Sequence, residues 1–200
     1  GRTAKLDERK MLCQASRSED YLEDYLKGVE ELELLFKAVL RESERRMTEG
    51  LASLGVTPAQ AEALGVLQMA QPISLGDLGS LLIAEGGHPS RLVDRLVRNG
   101  WVERRVAESD RRRLVLSLTP TGVELVERIE AARELLCADK RDLIENSDLT
   151  PTMALFEGYL LGSPWWETVE RRRRLAREAE AALDRGGSEP RSLSEPLHQT

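Results

Sequence analysis

Apolar residues recur at intervals of three and four between Ser18 and Met47, which is the pattern of an amphipathic helix. The stretch spans about thirty residues, and a helix of that length in a small domain usually packs against a partner. The residues before Ser18 are polar and weakly patterned, so we predict an N-terminal arm there. The apolar stripe consists of Tyr25, Val29, Leu32, Phe36, Val39 and Leu40.

Three shorter helices are predicted in the next fifty residues. Thr57, Pro58 and Gln60 have the spacing of an N-cap, a proline at the first helical position and a capping-box partner. Ser74 is the expected N-cap of the second helix. The third helix covers the sequence HPSRLVDRLVRN. A helix, a short turn and a second helix form the helix-turn-helix pattern, whose second member enters a groove of DNA.

After Gly100, a residue typical of a left-handed helix end, the pattern changes to the alternation of strands. Residues 101–106 and 114–118 are predicted to form a hairpin, with the sequence ESDRRR at its tip. Thr-Pro at 119, Thr-Pro at 150 and Ser-Pro at 163 are the expected N-caps and first residues of three further helices. We therefore predict a mainly α protein with a small β-hairpin wing, which is a winged helix-turn-helix.

The net charge of the chain is −6, but the predicted helix and hairpin from Glu85 to Arg113 are basic. This stretch holds eight arginines and five acidic residues, a local charge of +3 that leaves −9 for the remainder. DNA binding is driven by neutralising phosphates and releasing counterions, so a local basic patch matters more than the total charge. On the third helix, Leu92, Leu96 and Val97 are expected to face the core, and the arginines lie on the other side.

The predicted DNA-binding residues lie at two places in this basic stretch. His88, which either contacts DNA or caps its helix, lies near the helix end that normally meets base edges. At the hairpin tip, adjacent arginines repel one another unless an anion sits there, and phosphate is a suitable partner beside Asp110. An arginine at such a tip enters the narrow minor groove, where the negative potential is enhanced. The full set is His88, Ser90, Arg91, Arg95, Arg98, Asp110, Arg111, Arg112 and Arg113.

Three stretches between Leu54 and Gly122 resemble the MarR family of bacterial transcription regulators. LGVTPAQAEALGVL is similar to the family's second helix, SRLVDRLVRNGWVERR to its recognition helix and first wing strand, and SDRRRLVLSLTPTG to its wing signature. The resemblance implies that Asp110 orients the wing arginines and that Arg112, with Arg111 beside it, enters the minor groove. Two features depart from the family: EGGHPS precedes the recognition helix in place of a Ser/Thr-rich start, and Ala107 stands where an aspartate is frequent.

The resemblance also implies the assembly and its regulation. The family binds pseudo-palindromic operators as homodimers, and small organic ligands, often aromatic, bind between the dimer helices and the DNA-binding lobe and release the repressor. N- and C-terminal dimerisation helices are therefore expected here. The predicted division is an N-terminal arm and dimerisation helix at 1–50, the winged helix-turn-helix at 51–122, C-terminal dimerisation helices at 123–185 and a mobile tail at 186–200.

Two other functions are compatible with parts of this pattern. One is a winged-helix protein-interaction module without DNA function, and the other is a redox-sensing repressor that uses Cys13. An enzyme is not predicted, because the chain has two histidines and no nucleophile motif, phosphate-cradling loop or metal-ligand spacing. We expect no cofactor and no metal.

The remaining features concern location and the C-terminal region. No apolar run approaches the roughly 18 residues of a membrane span, and the first residues do not resemble a secretion signal, so we predict a cytoplasmic protein. Cys137 is expected to be buried at a helix interface, and Trp165-Trp166 to anchor the dimer or to line a ligand pocket. Residues 171–174, four consecutive arginines, are expected to form a solvated or salt-bridged surface, for which acidic segments of the partner subunit are candidate partners.

Overall fold

The computed structural model of the chain divides into two compact units, Gly1–Glu49 and Gly50–Thr200. No helix among the described residues is long and apolar enough to cross a lipid bilayer. The backbone is described for residues 2–83, 88–107, 114–138 and 140–186, and within these ranges the side chains of residues 2–21, 25, 143 and 182–186 are left out, so Cys13 lies outside the described side chains.

The first unit is a single helix, α1, which covers Arg2–Leu51 and ends in the second unit. The predicted start near Ser18 is wrong. The sequence from residue 2 to residue 17 contains Ala, Leu, Lys, Arg, Glu, Met and Gln but neither Gly nor Pro, so nothing in it ends a helix. The apolar stripe marks only the amphipathic part of α1.

The charged and the apolar side chains of α1 differ in their contacts. Carboxylates of Glu42 and Glu49 accept hydrogen bonds from the Arg45 guanidinium and raise its pKa. The apolar stripe, in contrast, is exposed: Phe36 is 42% exposed and Val39 is 60% exposed. A helix whose charged side chains pair within the helix and whose apolar face is exposed usually packs against another surface.

The second unit contains the predicted helices and hairpin in the predicted order. After α1 and a 3₁₀ turn, the helices of the second unit are numbered α2 to α8 and the strands β1 and β2. The elements are α2 Pro58–Ala70, α3 Leu75–Gly79, α4 Pro89–Arg98, β1 Val102–Val106, β2 Leu114–Leu118, α5 Pro120–Ala138, α6 Arg141–Glu145, α7 Thr150–Leu160 and α8 Pro164–Gly186.

The core of this unit lies between α2, α3, α4, the hairpin and α5. Leu64 of α2 and Leu92 and Leu96 of α4 are completely buried, and burying such side chains contributes about 1.5–3 kcal/mol each. The prediction for α4 was right for Leu92 and Leu96 and wrong for one neighbour. Val93 is fully buried, and Val97, which was expected to face inward, is half-buried.

Local hydrogen bonds fix the starts of α2 and α3 as predicted. Gln60 N donates to the Thr57 hydroxyl over 3.3 Å, and Thr57 N donates to the Gln60 amide oxygen over 2.9 Å, which completes a capping box. Asp77 N donates to the Ser74 hydroxyl over 3.1 Å. These caps satisfy amide groups that have no partner inside their helices, so both helices begin at a defined residue.

The wing is the antiparallel pair β1–β2, with Val102 opposite Leu118 and Val106 opposite Leu114. A third short strand segment joins it, because Ile73 and Leu116 exchange two backbone hydrogen bonds of 3.2 and 2.8 Å. The hairpin is therefore attached to the segment between α2 and α3, and its position relative to the helix-turn-helix is fixed by backbone contacts.

The C-terminal helices differ from the prediction in three details. Thr150 is the first residue of α7 and not its N-cap; the Asp148 carboxylate accepts from its amide over 2.9 Å. Ser163 precedes α8 as expected, but its hydroxyl has no hydrogen-bond partner among the described residues. Cys137, which was expected to be buried, is exposed in the single chain. The predicted mobile tail lies, beyond Gly186, outside the described residues.

Candidate nucleic-acid interface

The two faces of α4 have opposite character. One face is completely buried, and the arginines project from the other at positions i, i+4 and i+7, which lie close together on a helix. Every predicted DNA-binding residue of this helix is exposed: His88, Ser90, Arg91, Arg95 and Arg98. A helix held by a buried face and carrying cations on its free face has the form of a recognition helix.

His88 lies immediately before α4, and Pro89 is the first helical residue. The carbonyl oxygen of His88 accepts from Arg91 N over 3.0 Å and from Leu92 N over 3.3 Å. The imidazole makes no capping hydrogen bond. His88 is therefore the N-cap residue of α4 through its backbone. Its exposed imidazole lies at the end of α4 that meets base edges in helix-turn-helix proteins, and DNA contact by the side chain stays a prediction.

An ion pair attaches the first wing strand to the recognition helix. Arg104 Nη2 of β1 lies 2.5 Å from the Asp94 carboxylate of α4, and Arg105 is paired with Glu103 beside it. The Arg104 pair therefore braces the hairpin against α4. Neither arginine was among the predicted DNA-binding residues. The predicted residues of the tip, Asp110, Arg111, Arg112 and Arg113, lie outside the described residues.

The sequence Thr-Pro-Thr-Gly clamps the end of α4 to the start of α5. The hydroxyls of Thr119 and Thr121 donate to Gly100 O over 2.6 and 3.0 Å, and Thr119 N donates to Trp101 O over 3.0 Å. Gly100 has φ +74°, as the predicted left-handed helix end requires. A Cβ on Gly122 would lie 2.0 Å from Trp101 O, so only glycine allows this approach.

A cavity of about 900 Å³ lies on the other side of the wing, between α3, the hairpin and α8. Apolar side chains of Ile73, Val115 and Leu175 share it with polar ones. Its charged lining consists of Arg105, Arg171, Arg174 and Asp77, and therefore has an excess of positive charge. Its lining is therefore a mixture of apolar and charged side chains.

Two of the four consecutive arginines of α8 form salt bridges within the chain. Arg172 pairs with Glu62 of α2 over 2.6 Å. Arg173 pairs with Glu157 of α7 and Glu170, and these carboxylates, Glu157 first, raise the pKa of its guanidinium. The expectation of a salt-bridged surface is confirmed for these two residues, and the acids that they contact belong to the same chain. Pairing of the run with a partner subunit stays a prediction.

The tryptophans before this run are partly accounted for. The Arg173 guanidinium lies 5.9 Å from the centre of the Trp166 ring, within the range of a cation–π contact. Trp165 is 44% exposed and does not line the cavity described above. Dimer anchoring by Trp165 stays a prediction. Among the residues with described side chains, no group of three or more His, Cys, Asp or Glu is placed to hold a metal ion.

Comparisons with known proteins agree with this geometry. Residues 56–122 match the family described as a winged helix DNA-binding domain. The chain is 33% identical over 94 residues to the multiple antibiotic resistance protein MarR of Escherichia coli. This alignment covers 47% of this chain and 65% of MarR. It is 32% identical over 102 residues to the HTH-type transcriptional regulator YwoH of Bacillus subtilis, covering 49% of this chain and 74% of YwoH. The chain thus spans slightly less than two thirds of the length of the MarR protein that it matches.

A solved structure has the same architecture. The crystal structure of a mutant E. coli MarR complexed with operator DNA aligns with a TM-score of 0.51 and 26% identity, over 64% of this chain and 91% of that one. The family match at residues 56–122 includes the helix-turn-helix and the hairpin from which the site is built. The chain belongs to the MarR family of winged helix-turn-helix transcriptional regulators.

Proposed function

We propose that the protein is a homodimeric transcriptional repressor that binds a pseudo-palindromic DNA operator and is released from it by a small organic ligand. The observation that carries the proposal is the arginine face of α4: Arg91, Arg95 and Arg98 are exposed on a helix whose opposite face is completely buried. Arginine holds guanine through two parallel hydrogen bonds in the major groove and also binds phosphates.

The charge distribution supports a DNA partner. Positive charge is concentrated between residues 85 and 113, and the rest of the chain is acidic. Phosphate neutralisation attracts the basic patch, and the acidic remainder opposes indiscriminate coating of DNA. Among the relatives, MarR of E. coli is known in complex with operator DNA, and we extend that partner to this chain. We infer that it works in the cytoplasm.

The exposed apolar face of α1 supports the homodimer. Leu32 and Val39 are 44% and 60% exposed, and an apolar stripe of this kind is usually covered by a partner. A twofold dimer presents two identical recognition helices, and so a pseudo-palindromic operator fits it.

The cavity beside the wing supports ligand-controlled release. Its walls include β1, β2 and α8, so an occupant contacts both the DNA-binding lobe and a C-terminal helix. Release follows if the ligand binds more tightly to a conformation that fits DNA poorly. Native mass spectrometry of the purified dimer tests this part. We expect to find a bound small molecule whose removal restores operator binding. If no small molecule releases the protein from the operator, this part of the proposal is wrong.

The test of DNA binding is a pair of arginine variants measured against salt. The operator is a duplex selected by the wild-type chain from a random-sequence pool. Arg91→Ala is expected to weaken operator binding by about 1–3 kcal/mol and to relax sequence preference if it contacts a base. Arg112→Ala is expected to weaken binding with a salt slope reduced by about one unit.

The control for these variants is Arg128→Ala, which removes the same charge from an exposed position on α5. Its affinity is expected to change little. If Arg91→Ala and Arg112→Ala bind as the control does, the assigned DNA surface is wrong. If the wild-type chain selects no duplex, the proposed function is wrong, and the protein-interaction alternative gains support.

A further inference from the structure

Three side chains on one face of α8 hold the end of α3. Thr168, Arg171 and Arg172 follow the spacing i, i+3 and i+4, which places them side by side on the helix. The buried Thr168 hydroxyl donates to Ser80 O over 3.2 Å, and Arg171 Nη1 donates to Ser80 Oγ over 2.7 Å. Ser80 is the C-cap of α3. The side chains of α8 therefore bind the end of α3, which is the first helix of the helix-turn-helix.

The third side chain acts through Glu62 of α2. One carboxylate oxygen of Glu62 accepts from Arg172 Nη1 over 2.6 Å and from Ile83 N over 3.0 Å. The Glu62 and Arg172 side chains are only 11% and 28% exposed. A single carboxylate therefore joins α2, α8 and the chain that follows α3.

This junction lies at the entry to the recognition helix. Ile83 lies six residues before Pro89, the first residue of α4. Losing one partner of a largely buried ion pair leaves the other charge poorly solvated, so the geometry of the junction depends on both groups.

We propose that Glu62 and Arg172 are positioning residues for DNA recognition: through Glu62, α8 holds the chain at Ile83, where it leads to α4, although neither residue belongs to the DNA-binding surface. The proposal rests on the proposed function. It assigns to the C-terminal helix a role in sequence recognition in addition to its expected role in dimerisation.

Electrostatics and positioning predict opposite results for Glu62→Gln. Removing a negative charge from a DNA-binding lobe strengthens binding to DNA if only long-range charge matters. Loss of the ion pair with Arg172 weakens operator binding if the pair positions α4. The sign of the change therefore separates the two explanations.

The experiment compares the full-length chain with Glu62→Gln, Arg172→Gln and the double variant on two duplexes. One is selected by the wild-type chain from a random-sequence pool, and the other is a shuffled duplex of the same composition. We expect each single variant to bind the selected duplex about tenfold more weakly and the shuffled duplex within about twofold of wild type. The double variant is expected to be no weaker than the weaker single variant, because both changes break one contact.

Arg173→Gln is the matched control: it removes the same charge from the next residue, but the contacts that it breaks are those with Glu157, Glu170 and Trp166, not the one with Glu62. It is expected to retain the affinity of the wild type for the selected duplex. Unchanged or tighter binding by Glu62→Gln overturns the proposal. Equal losses on both duplexes with a lowered melting temperature also overturn it, because they indicate a role in stability alone. A wild-type chain that selects no duplex removes the proposed function itself, which is a different result from any of these.

Discussion

The winged lobe, which consists of α2, α3, α4, the hairpin and α5, and the long helix α1 place their apolar residues in opposite environments. In the lobe, Leu64, Leu67 and Leu96 are completely buried within one chain. On α1, Leu35 and Val39 are 56% and 60% exposed. The core of the lobe is therefore closed within a single chain, whereas the apolar side chains of α1 are exposed in it. Under the proposed homodimer, folding of the lobe and assembly of the dimer are expected to respond to separate groups of residues.

The largest expected effect tests whether the lobe is as tightly packed as its burial indicates. Gly122→Ala places a Cβ 2.0 Å from the backbone oxygen of Trp101, which neither side chain rotation nor solvent relieves. We expect a loss of about 3 kcal/mol or more in the free energy of unfolding, as for severe overpacking. Urea unfolding followed by Trp fluorescence measures it.

Gly76→Ala is the control for this change. A Cβ on Gly76 would have its nearest neighbour, Ser74 Oγ, at 4.0 Å. This variant is expected to be neutral or slightly more stable, by up to about 1 kcal/mol. If the two variants are equally stable, the backbone around Trp101 can move to make room for the added Cβ. The lobe would then not be tightly packed, and its contrast with the exposed helix α1 would not hold.

The second prediction breaks the other half of the comparison. Leu32→Glu with Val39→Glu places two carboxylates in the exposed stripe of α1. We expect the variant to sediment as a monomer and to bind a selected operator at least about a hundredfold more weakly, since two half-sites are no longer engaged together. The melting temperature of the lobe is expected to stay unchanged.

The matched control for the α1 variant is Leu34→Glu with Ala38→Glu. At 100° per residue these positions lie on the side of α1 opposite to the stripe, and both are exposed. The control adds the same charge to the same helix and is expected to remain dimeric. Dissociation of both double variants would indicate a charge effect, and dissociation of neither would place the dimer interface elsewhere.

The parts of the structure that the sequence predicted are those fixed by near neighbours in the chain. The capping box of Thr57 and Gln60 joins residues three apart. The hairpin was predicted from alternation within two five-residue strands. In each case the signal and the contact lie within the same short stretch, so a local pattern is sufficient.

The contacts that organise the candidate site join distant parts of the chain and leave no local pattern. Arg172 and Glu62 are 110 residues apart, and each is an ordinary charged residue on a helix. The pairing of Arg104 with Asp94 depends on how β1 packs against α4. The glycine at 122 was part of a recognised motif, but its reason, the Trp101 oxygen, is visible only in three dimensions.

The third prediction tests how much a local contact contributes to the complete lobe. Thr57→Ala removes the hydroxyl that accepts from Gln60 N. We expect the free energy of unfolding to fall by about 1 kcal/mol, the usual cost of losing an N-cap. Thr57→Ser keeps the hydroxyl and is expected to be close to wild type. If both variants are equally destabilised, the methyl group and not the cap is responsible.

The smallest expected effect concerns a helix start outside the lobe. The hydroxyl and the amide of Thr150 donate to the Asp148 carboxylate and lower its pKa. A group whose pKa is lowered by folding stabilises the folded form above its unfolded pKa, ordinarily about 3.9, and this contribution is lost as the pH falls through the folded value. Asp148 is on the surface, so the change in stability is small, and titration of its carboxyl carbon by NMR is the suitable measurement.

Thr150→Val separates the hydroxyl from the amide at this site. The isosteric side chain cannot donate to Asp148, so the pKa of Asp148 is expected to rise toward its ordinary value, while the amide contact keeps it from returning fully. Thr152→Val makes the same change two residues further along α7 and is expected to leave the titration of Asp148 unchanged. If both variants change the pKa of Asp148 equally, the Thr150 hydroxyl does not hold this carboxylate at the start of α7. That helix would then lack a specific side-chain contact like the capping box at Thr57.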